Sequence, residues 1–400
     1  MPTYNPKQLG EPESIREINP TVLCAFLKPF EGYLRTRGLE VKEPSRFDNA
    51  AIEKLVDILI NPTMKTPQRL LHAVFYVEEM SSPLAADSLL KLAIQAGMPF
   101  DENENHTLAD VVMQVWLFDS KLVESQHAWQ TWKTPRRMEC FQPVQSTGIA
   151  PITITEDRLN QAIKDAGDWF AKNNRGRRLF MTPRIVNNEI QISIRRGDPF
   201  KRKPTIDDDG MDTLTFREAR KDSMIYDLSE EVLMLSSSLK STYPVYCRIF
   251  GNLLFDDPQY FGIFSRYTLA PLMELGEDAL SPGEIDAIEE IVLLNYRVLL
   301  GGPFNRYIIH GADDFFADLK WRGGTFQAEG PLDRATFRIK YRHVKARRTL
   351  SLYTGNTSAY TRDENARHVE QWLQLRRFVM KTGARAAKGV NTDDQAVASY

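Results

Sequence analysis

Cysteine is scarce in this chain. Three occur among 400 residues, Cys24, Cys140 and Cys247. They lie far apart, no two have metal-ligand spacing, and the odd count argues against a disulfide framework. They read as small buried hydrophobes in a reducing compartment. The six histidines are equally scattered, with no H-E-x-x-H and no His/Cys pair at ligand spacing. Neither G-x-x-x-x-G-K-[ST], G-x-G-x-x-G nor G-x-S-x-G occurs. The sequence therefore offers no phosphate-cradling loop or hydrolase elbow, and no cofactor is expected. Long apolar runs are also missing. The best candidate, residues 285–300, is interrupted by Glu289, Glu290, Asn295 and Arg297, too polar to span a bilayer. The N-terminal MPTYNPKQLGEP has no apolar signal core. The expectation is a cytoplasmic protein with no membrane partner. Charge of one sign is not in excess either: 51 Lys and Arg face 53 Asp and Glu, a formal net charge of −2. Any attraction for a polyanion must come from a local patch.

What is present is ordinary globular material, 42% hydrophobic and 26% charged, in a chain too long for one core. Residues 1–20 are polar, with Pro2, Pro6 and Pro12, and predict an extended arm. Residues 21–142 predict a helical domain. Val22, Leu23, Phe26 and Leu27 recur at helical spacing, with Pro29 as a break. Ile52, Leu55, Val56 and Leu59 follow an Asp48 cap; Leu70, Val74 and Val77 follow Pro67; Leu89 and Leu92 follow Pro83; Val111, Val112 and Val115 follow a Thr107 cap. Residues 143–151 have no helical period and predict a linker.

Residues 152–380 predict an α+β domain whose sheet is mostly antiparallel and built from hairpins. Thr155 caps a helix running to about Asn173. Ile190, Ile192 and Ile194 alternate with Gln191, Ser193 and Arg195, a one-sided strand that pairs with Leu179–Met181 around Asn187-Asn188. Gly197 to Gly210, with two prolines and two charge clusters, predicts a loop. Ser223–Tyr226 and Val232–Leu235 predict a further hairpin, Tyr243–Leu254 a helix, and Ser281-Pro282-Gly283-Glu284 the opening of another helix to about Leu294. Asp363 precedes a last helix, and residues 381–400 predict a disordered tail.

The most distinctive stretch is LDRATFRIKYRHVKARRTLSLY, Leu332 to Tyr353. Ala335, Phe337, Ile339 and Tyr341 alternate with Arg334, Thr336, Arg338, Lys340 and Arg342, so one strand face is apolar and the other cationic. With Lys345, Arg347 and Arg348 it predicts a hairpin seated through its apolar side on helices. Guanidinium groups on such a face match phosphate oxygens in geometry and charge. The candidate nucleic-acid-binding residues are Arg195, Arg196, Arg338, Lys340, Arg342, Arg347 and Arg348, on the premise that Arg195 shares a face with the hairpin. Trp129 and Trp132, beside Arg136 and Arg137, add aromatic surface for unpaired bases.

Two other patterns bear on metal chemistry. Asp207, Asp209, Gly210 and Asp212 resemble the start of a calcium loop, but the later bidentate acid is misplaced and the flanking helices are absent. Asp222 or Asp227, with Glu231, offers the acids of a metal-dependent nuclease, yet the following strand carries no acid-x-Lys. No metal and no catalytic residue is therefore assigned. The expected function is a non-enzymatic nucleic-acid-binding component of a multi-protein, prokaryotic-type assembly, contacting DNA or RNA backbone. A protein partner or second copy is expected on the helical domain. The alternatives are an assembly subunit without nucleic acid, or a divergent metal-dependent nuclease.

Overall fold

The computed structural model describes residues 4–41, 47–101, 105–145, 152–186, 188–207 and 210–380. The expected tail from 381, most of the 143–151 linker, Asn187 of the expected turn, and Asp208 and Asp209 of the calcium-like stretch lie outside the described residues. The chain divides into two compact units, residues 1–132 with 204–212, and residues 133–203 with 213–400.

The first unit is helical, apart from the strand ends at 204–207 and 210–212. Its helices are α1 (Pro12–Glu17), α2 (Pro20–Leu27), α3 (Glu31–Thr36), α4 (Asn49–Ile60), α5 (Gln68–Met80), α6 (Pro83–Gln95), α7 (Leu108–Phe118) and α8 (Ser120–Gln130). Local chemistry sets their ends. Proline occupies the first turn of α1, α2 and α6, where no backbone donor is required. Asp48 accepts from the Ala51 N–H at the start of α4. Thr107 and Asp110 form a reciprocal capping box on α7. The second oxygen of Asp110 accepts from the Asn19 N–H at 2.8 Å, tying the start of α2 to that of α7. Pro29 ends α2 at Leu27, a single tight turn follows, and α3 resumes.

The N-terminal stretch departs from the expected arm. Leu9, Ile15 and Ile18 are buried in this unit's core. The Glu78 carboxylate gathers the N–H groups of Lys7, Gln8 and Leu9 at 3.0, 3.0 and 2.6 Å. Three charge-assisted hydrogen bonds and three apolar anchors hold a segment whose composition alone looks extended.

The second unit is built on an eleven-stranded antiparallel sheet. In chain order its elements are β1 (Arg137–Pro143), α9 (Glu156–Lys172), β2 (Leu179–Val186), β3 (Glu189–Asp207), β4 (Gly210–Asp227), β5 (Val232–Ser236), α10 (Tyr243–Phe255), β6 (Phe261–Gly262) and α11 (Ala270–Leu275). They continue as β7 (Ile288–Gly301), β8 (Arg306–Gly311), α12 (Phe315–Trp321), β9 (Leu332–Tyr341), β10 (Arg348–Tyr353), β11 (Thr357–Ala359) and α13 (Ala366–Leu375). The strand order is β2-β3-β4-β5-β1-β11-β10-β9-β7-β8, with β6 paired to the end of β1. Helices first and a hairpin-built antiparallel sheet after them make this an α+β protein, as the sequence predicts.

Three elements differ from expectation. Residues 137–142, assigned to the helical domain, form β1 together with Pro143 of the expected linker, and β1 pairs with β5 and β11 near the middle of the sheet. The division between units accordingly falls between Trp132 and Lys133. Most of the expected loop 197–210 continues β3 as a long ribbon with β4. Its prolines are compatible with strand because the ribbon is exposed. The expected helix after Ser281 is instead β7, a run rich in Ile, Val and Leu that pairs on both sides, with β8 and β9. Two-sided pairing and burial outweigh the helix-like first-turn chemistry of Ser-Pro-Gly-Glu.

The sheet has two cores on opposite faces. On β5, Val232 and Met234 join one core and Leu233 and Leu235 the other; on β1, Met138 and Cys140 oppose Phe141. We call the face bearing Met138 the front. There α11, α12 and α13 pack on β7, β9 and β10 through Leu272, Phe315, Phe316 and Trp372. On the back, α9 and α10 pack on β2 to β5 through Phe170, Tyr246 and Phe250. Each half of the sheet thus carries helices on one face. Among the described residues, no helix of this unit joins a core on the back of the β11-β10-β9-β7-β8 half.

Candidate nucleic-acid interface

Strand register determines which side chains share the back of this half, where Val292, Thr336 and Thr357 are buried and the longer side chains are partly exposed. Glu139 pairs with Thr357, Thr357 with Tyr353, Tyr353 with Arg334, Arg334 with Arg297, and Arg297 with Ile309. The neighbouring row is Arg137, Ala359, Ser351, Thr336 and Asn295, and the next contains Thr349, Arg338 and Val292. Residues directly opposite one another share a face, so these rows form one surface.

Tyr353 lies at its centre. The Arg137 guanidinium sits 5.0 Å from the Tyr353 ring centroid and that of Arg334 5.5 Å from it. Both distances are within cation–π reach. Arg297 lies 4.9 Å from the Tyr307 ring and is gripped at two points by Asp333. Arg338 has no hydrogen-bond or ion-pair partner among the described residues and is partly exposed. The hydroxyls of Thr336 and Ser351 lie 3.1 Å apart, and Arg136 donates to both oxygens of Thr349, 2.6 Å to the hydroxyl. Glu139 is the acid in the central row. Burial pushes its carboxyl above the ordinary range, opposed by the charges of Arg137 and Lys240, which weakens its hold on a negative charge at the patch.

The seven residues chosen from the sequence do not converge. Arg338 and Lys340 are on the back face, but Lys340 pairs with Glu289 at 2.6 Å. Arg342 and Arg347 lie in the turn after β9, where Arg342 donates to the Asp286 carbonyl at 2.7 Å. Arg348 alternates with Thr349 onto the front face and lies 3.4 Å from Asp363. Arg195 is also on the front, opposite in sense to Ile194, so the premise that it shares a face with the hairpin bases does not hold. Arg196 is turned to the back beneath α9 and α10, buried, and bonded to Asp222 at 2.6 Å. Trp129 and Trp132 belong to the first unit, their ring centroids 5.0 Å apart.

Arg297 and Tyr353 were missed. The available signal was the same period of two: Tyr353 is out of phase with Leu350 and Leu352, which places its ring on the cationic side.

The front of the β2-β3-β4 half carries a smaller group of cations. Burial lowers the proton affinity of Lys221, with Arg195 and Arg184 adding their charges to the effect. The nuclease set is dispersed. Asp222 faces the back with Met224 and Tyr226, Asp227 faces the front with Ile225, and Glu231 sits in the connecting turn at φ +51°. No group of three or more His, Cys, Asp or Glu able to hold a metal occurs among the described residues. No helix among them is long and apolar enough to cross a membrane.

No protein-family model matches the chain, and no curated protein matches it in sequence.

Proposed function

We propose that this protein binds single-stranded nucleic acid through the back of the β11-β10-β9-β7 sheet, as a non-catalytic component of a larger assembly. The observation that carries this reading is Tyr353, flanked by the guanidiniums of Arg137 and Arg334 on a sheet face on which no helix of its unit packs among the described residues. A half-exposed aromatic ring can stack an unpaired base, and forked donors beside it take the adjoining phosphates. A broad sheet surface suits splayed bases better than a duplex, whose base edges lie within grooves. With a net charge of −2, attraction is local and not global, and binding is strongly salt-dependent and tolerant of sequence.

The test is fluorescence anisotropy with labelled single-stranded RNA and DNA homopolymers and a duplex control, over a range of salt. Tyr353→Ala is expected to weaken binding by about 1–3 kcal/mol. Joint replacement of Arg137 and Arg334 by Glu is expected to flatten the salt dependence. Absence of saturable binding at low salt, or an affinity untouched by these changes, rejects the reading.

One observation favours the second reading, an assembly subunit without nucleic acid. The sheet ends at β8, where Tyr307 and Ile309 are 53% and 54% exposed. An open edge with apolar side chains is suited to strand addition by another chain. In that case Ile309→Lys disrupts association measured by light scattering, and the wild-type protein shows no saturable oligonucleotide binding.

A further inference from the structure

The front face holds a cavity of about 220 Å³ between the β4–β5 turn, the segment Arg266–Tyr267 and α13. Its apolar side is formed by Val232 and Met234 of β5 with Leu373 and Val379. The charged groups around it are satisfied unequally. Asp227 is committed to the turn, accepting from the N–H groups of Ser229 and Glu230 at 2.8 and 3.1 Å. Glu230 takes a hydrogen bond from Gln374 at 3.4 Å and lies 3.5 Å from Arg266.

Among the described residues that long contact is the ion pair of Arg266, whose side chain is 12% exposed and whose charge the Tyr267 hydroxyl also favours; Arg367 is the other cation of the lining. Across the cavity, Glu370 accepts one hydrogen bond, from the Tyr360 hydroxyl at 2.7 Å. Burial pushes its carboxyl above the ordinary range despite the opposing Tyr360 hydrogen bond and the charge of Arg362. Arg266 and Glu370 act on one another electrostatically, yet no ion pair joins them among the described residues.

We propose that this cavity binds a small zwitterion, an aliphatic α-amino acid, with its carboxylate on Arg266, its ammonium on Glu370 and its side chain against Val232, Met234 and Leu373. The two opposite charges share one cavity with no ion pair between them, so each only partly offsets what the other loses by leaving water. A ligand carrying both signs relieves the two together and adds no net charge. A free anion would leave Glu370 facing it, and a simple cation would face Arg266. Size agrees: 220 Å³ corresponds to about seven waters at about 30 Å³ each. It is below the roughly 300 Å³ at which pockets for drug-sized molecules begin.

Isothermal titration calorimetry on the full chain near neutral pH tests this, with L-leucine, N-acetyl-L-leucine and L-leucine methyl ester as probes. L-Leucine is expected to give a saturable heat, and each derivative, which lacks one charge, to bind at least about tenfold more weakly. Glu370→Gln and Arg266→Gln, checked for native circular dichroism, should each lose about tenfold or more in leucine affinity. No saturable heat with leucine, or either derivative binding as tightly as leucine, overturns the assignment. If a variant fails to fold, the comparison of derivatives on the wild-type protein decides alone.

Discussion

Arg196 of β3 and Asp222 of β4 form a buried ion pair, 2.6 Å from Nε to Oδ2, with side chains 1% and 0% exposed. The Tyr246 hydroxyl donates to the same carboxylate at 2.8 Å, the Phe170 ring lies 5.1 Å from the guanidinium, and Ser238 receives a further hydrogen bond from it. Burial works against the charge of Arg196, and the hydrogen bond and charge of Asp222 outweigh it. One residue that looked like a phosphate ligand and one that looked like a metal ligand therefore neutralise each other beneath α9 and α10.

Breaking that pair leaves an uncompensated buried charge. Asp222→Ala and Arg196→Met are each expected to destabilise the second unit by about 3–5 kcal/mol in urea unfolding. The double variant Arg196→Met with Asp222→Leu should be more stable than either single change, because the stranded charge is gone. Single variants within about 1 kcal/mol of wild type would mean that the pair is not closed in the folded protein.

Face assignment makes a sharper contrast for the interface. Arg195→Glu and Arg348→Glu, both on the front, should leave oligonucleotide affinity within about twofold of wild type. Arg338→Glu, on the back, should weaken it by about tenfold at low salt and reduce the salt slope by about 0.7 per lost single-strand phosphate contact. Anisotropy titrations at several salt concentrations distinguish the two groups. Equal losses from front and back variants would reject the back-face site.

The alternation from Ala335 to Tyr341 was legible because one face of β9 is buried and the other, apart from Thr336, is only partly so; period two appears only when the faces differ. It could not say which face of the sheet would be covered, so Arg195 and Arg338 seemed to belong together. β1 was illegible for the opposite reason. From Met138 onward it is buried on both sides except at half-buried Glu139, and such a strand shows no alternation. The β3–β4 ribbon was hidden by Pro199, Pro204 and Gly210, which mark loops in most contexts. The cavity had no local signature, since Asp227, Arg266 and Glu370 are brought together only by the sheet order and the packing of α13.

The cysteines offer a test of packing independent of any ligand. Cys24, Cys140 and Cys247 are all buried and make no disulfide. Burial pushes the Cys247 thiol up to about 12 and raises that of Cys140. Thiolate is the reactive form, so the native protein should react negligibly with a disulfide reagent at mildly alkaline pH. The denatured chain should release three equivalents of thiol, matching the three cysteines of the sequence. Rapid labelling of a native thiol would show that the cores open on the timescale of the reagent.

Acid should stabilise the region around α13 before it denatures the protein. Burial raises the carboxyl of Glu189, with Asp227 and Glu370 adding to the effect and Gln191 opposing it; burial likewise raises Glu370. A carboxyl whose folded pKa lies above its unfolded value binds more protons in the native state between the two values. Stability from these groups therefore rises as pH falls from neutral through their raised pKa values, and the gain is complete once pH is below the ordinary carboxylate range. Glu370→Gln keeps an acceptor for the Tyr360 hydroxyl and removes the buried charge. It should raise the urea midpoint at neutral pH, and its advantage over wild type should shrink as pH approaches about 4, where the wild-type carboxyl is protonated as well. A variant less stable than wild type at neutral pH, or an advantage that does not change with pH, would show that Glu370 is held by its neighbours as a favourable anion.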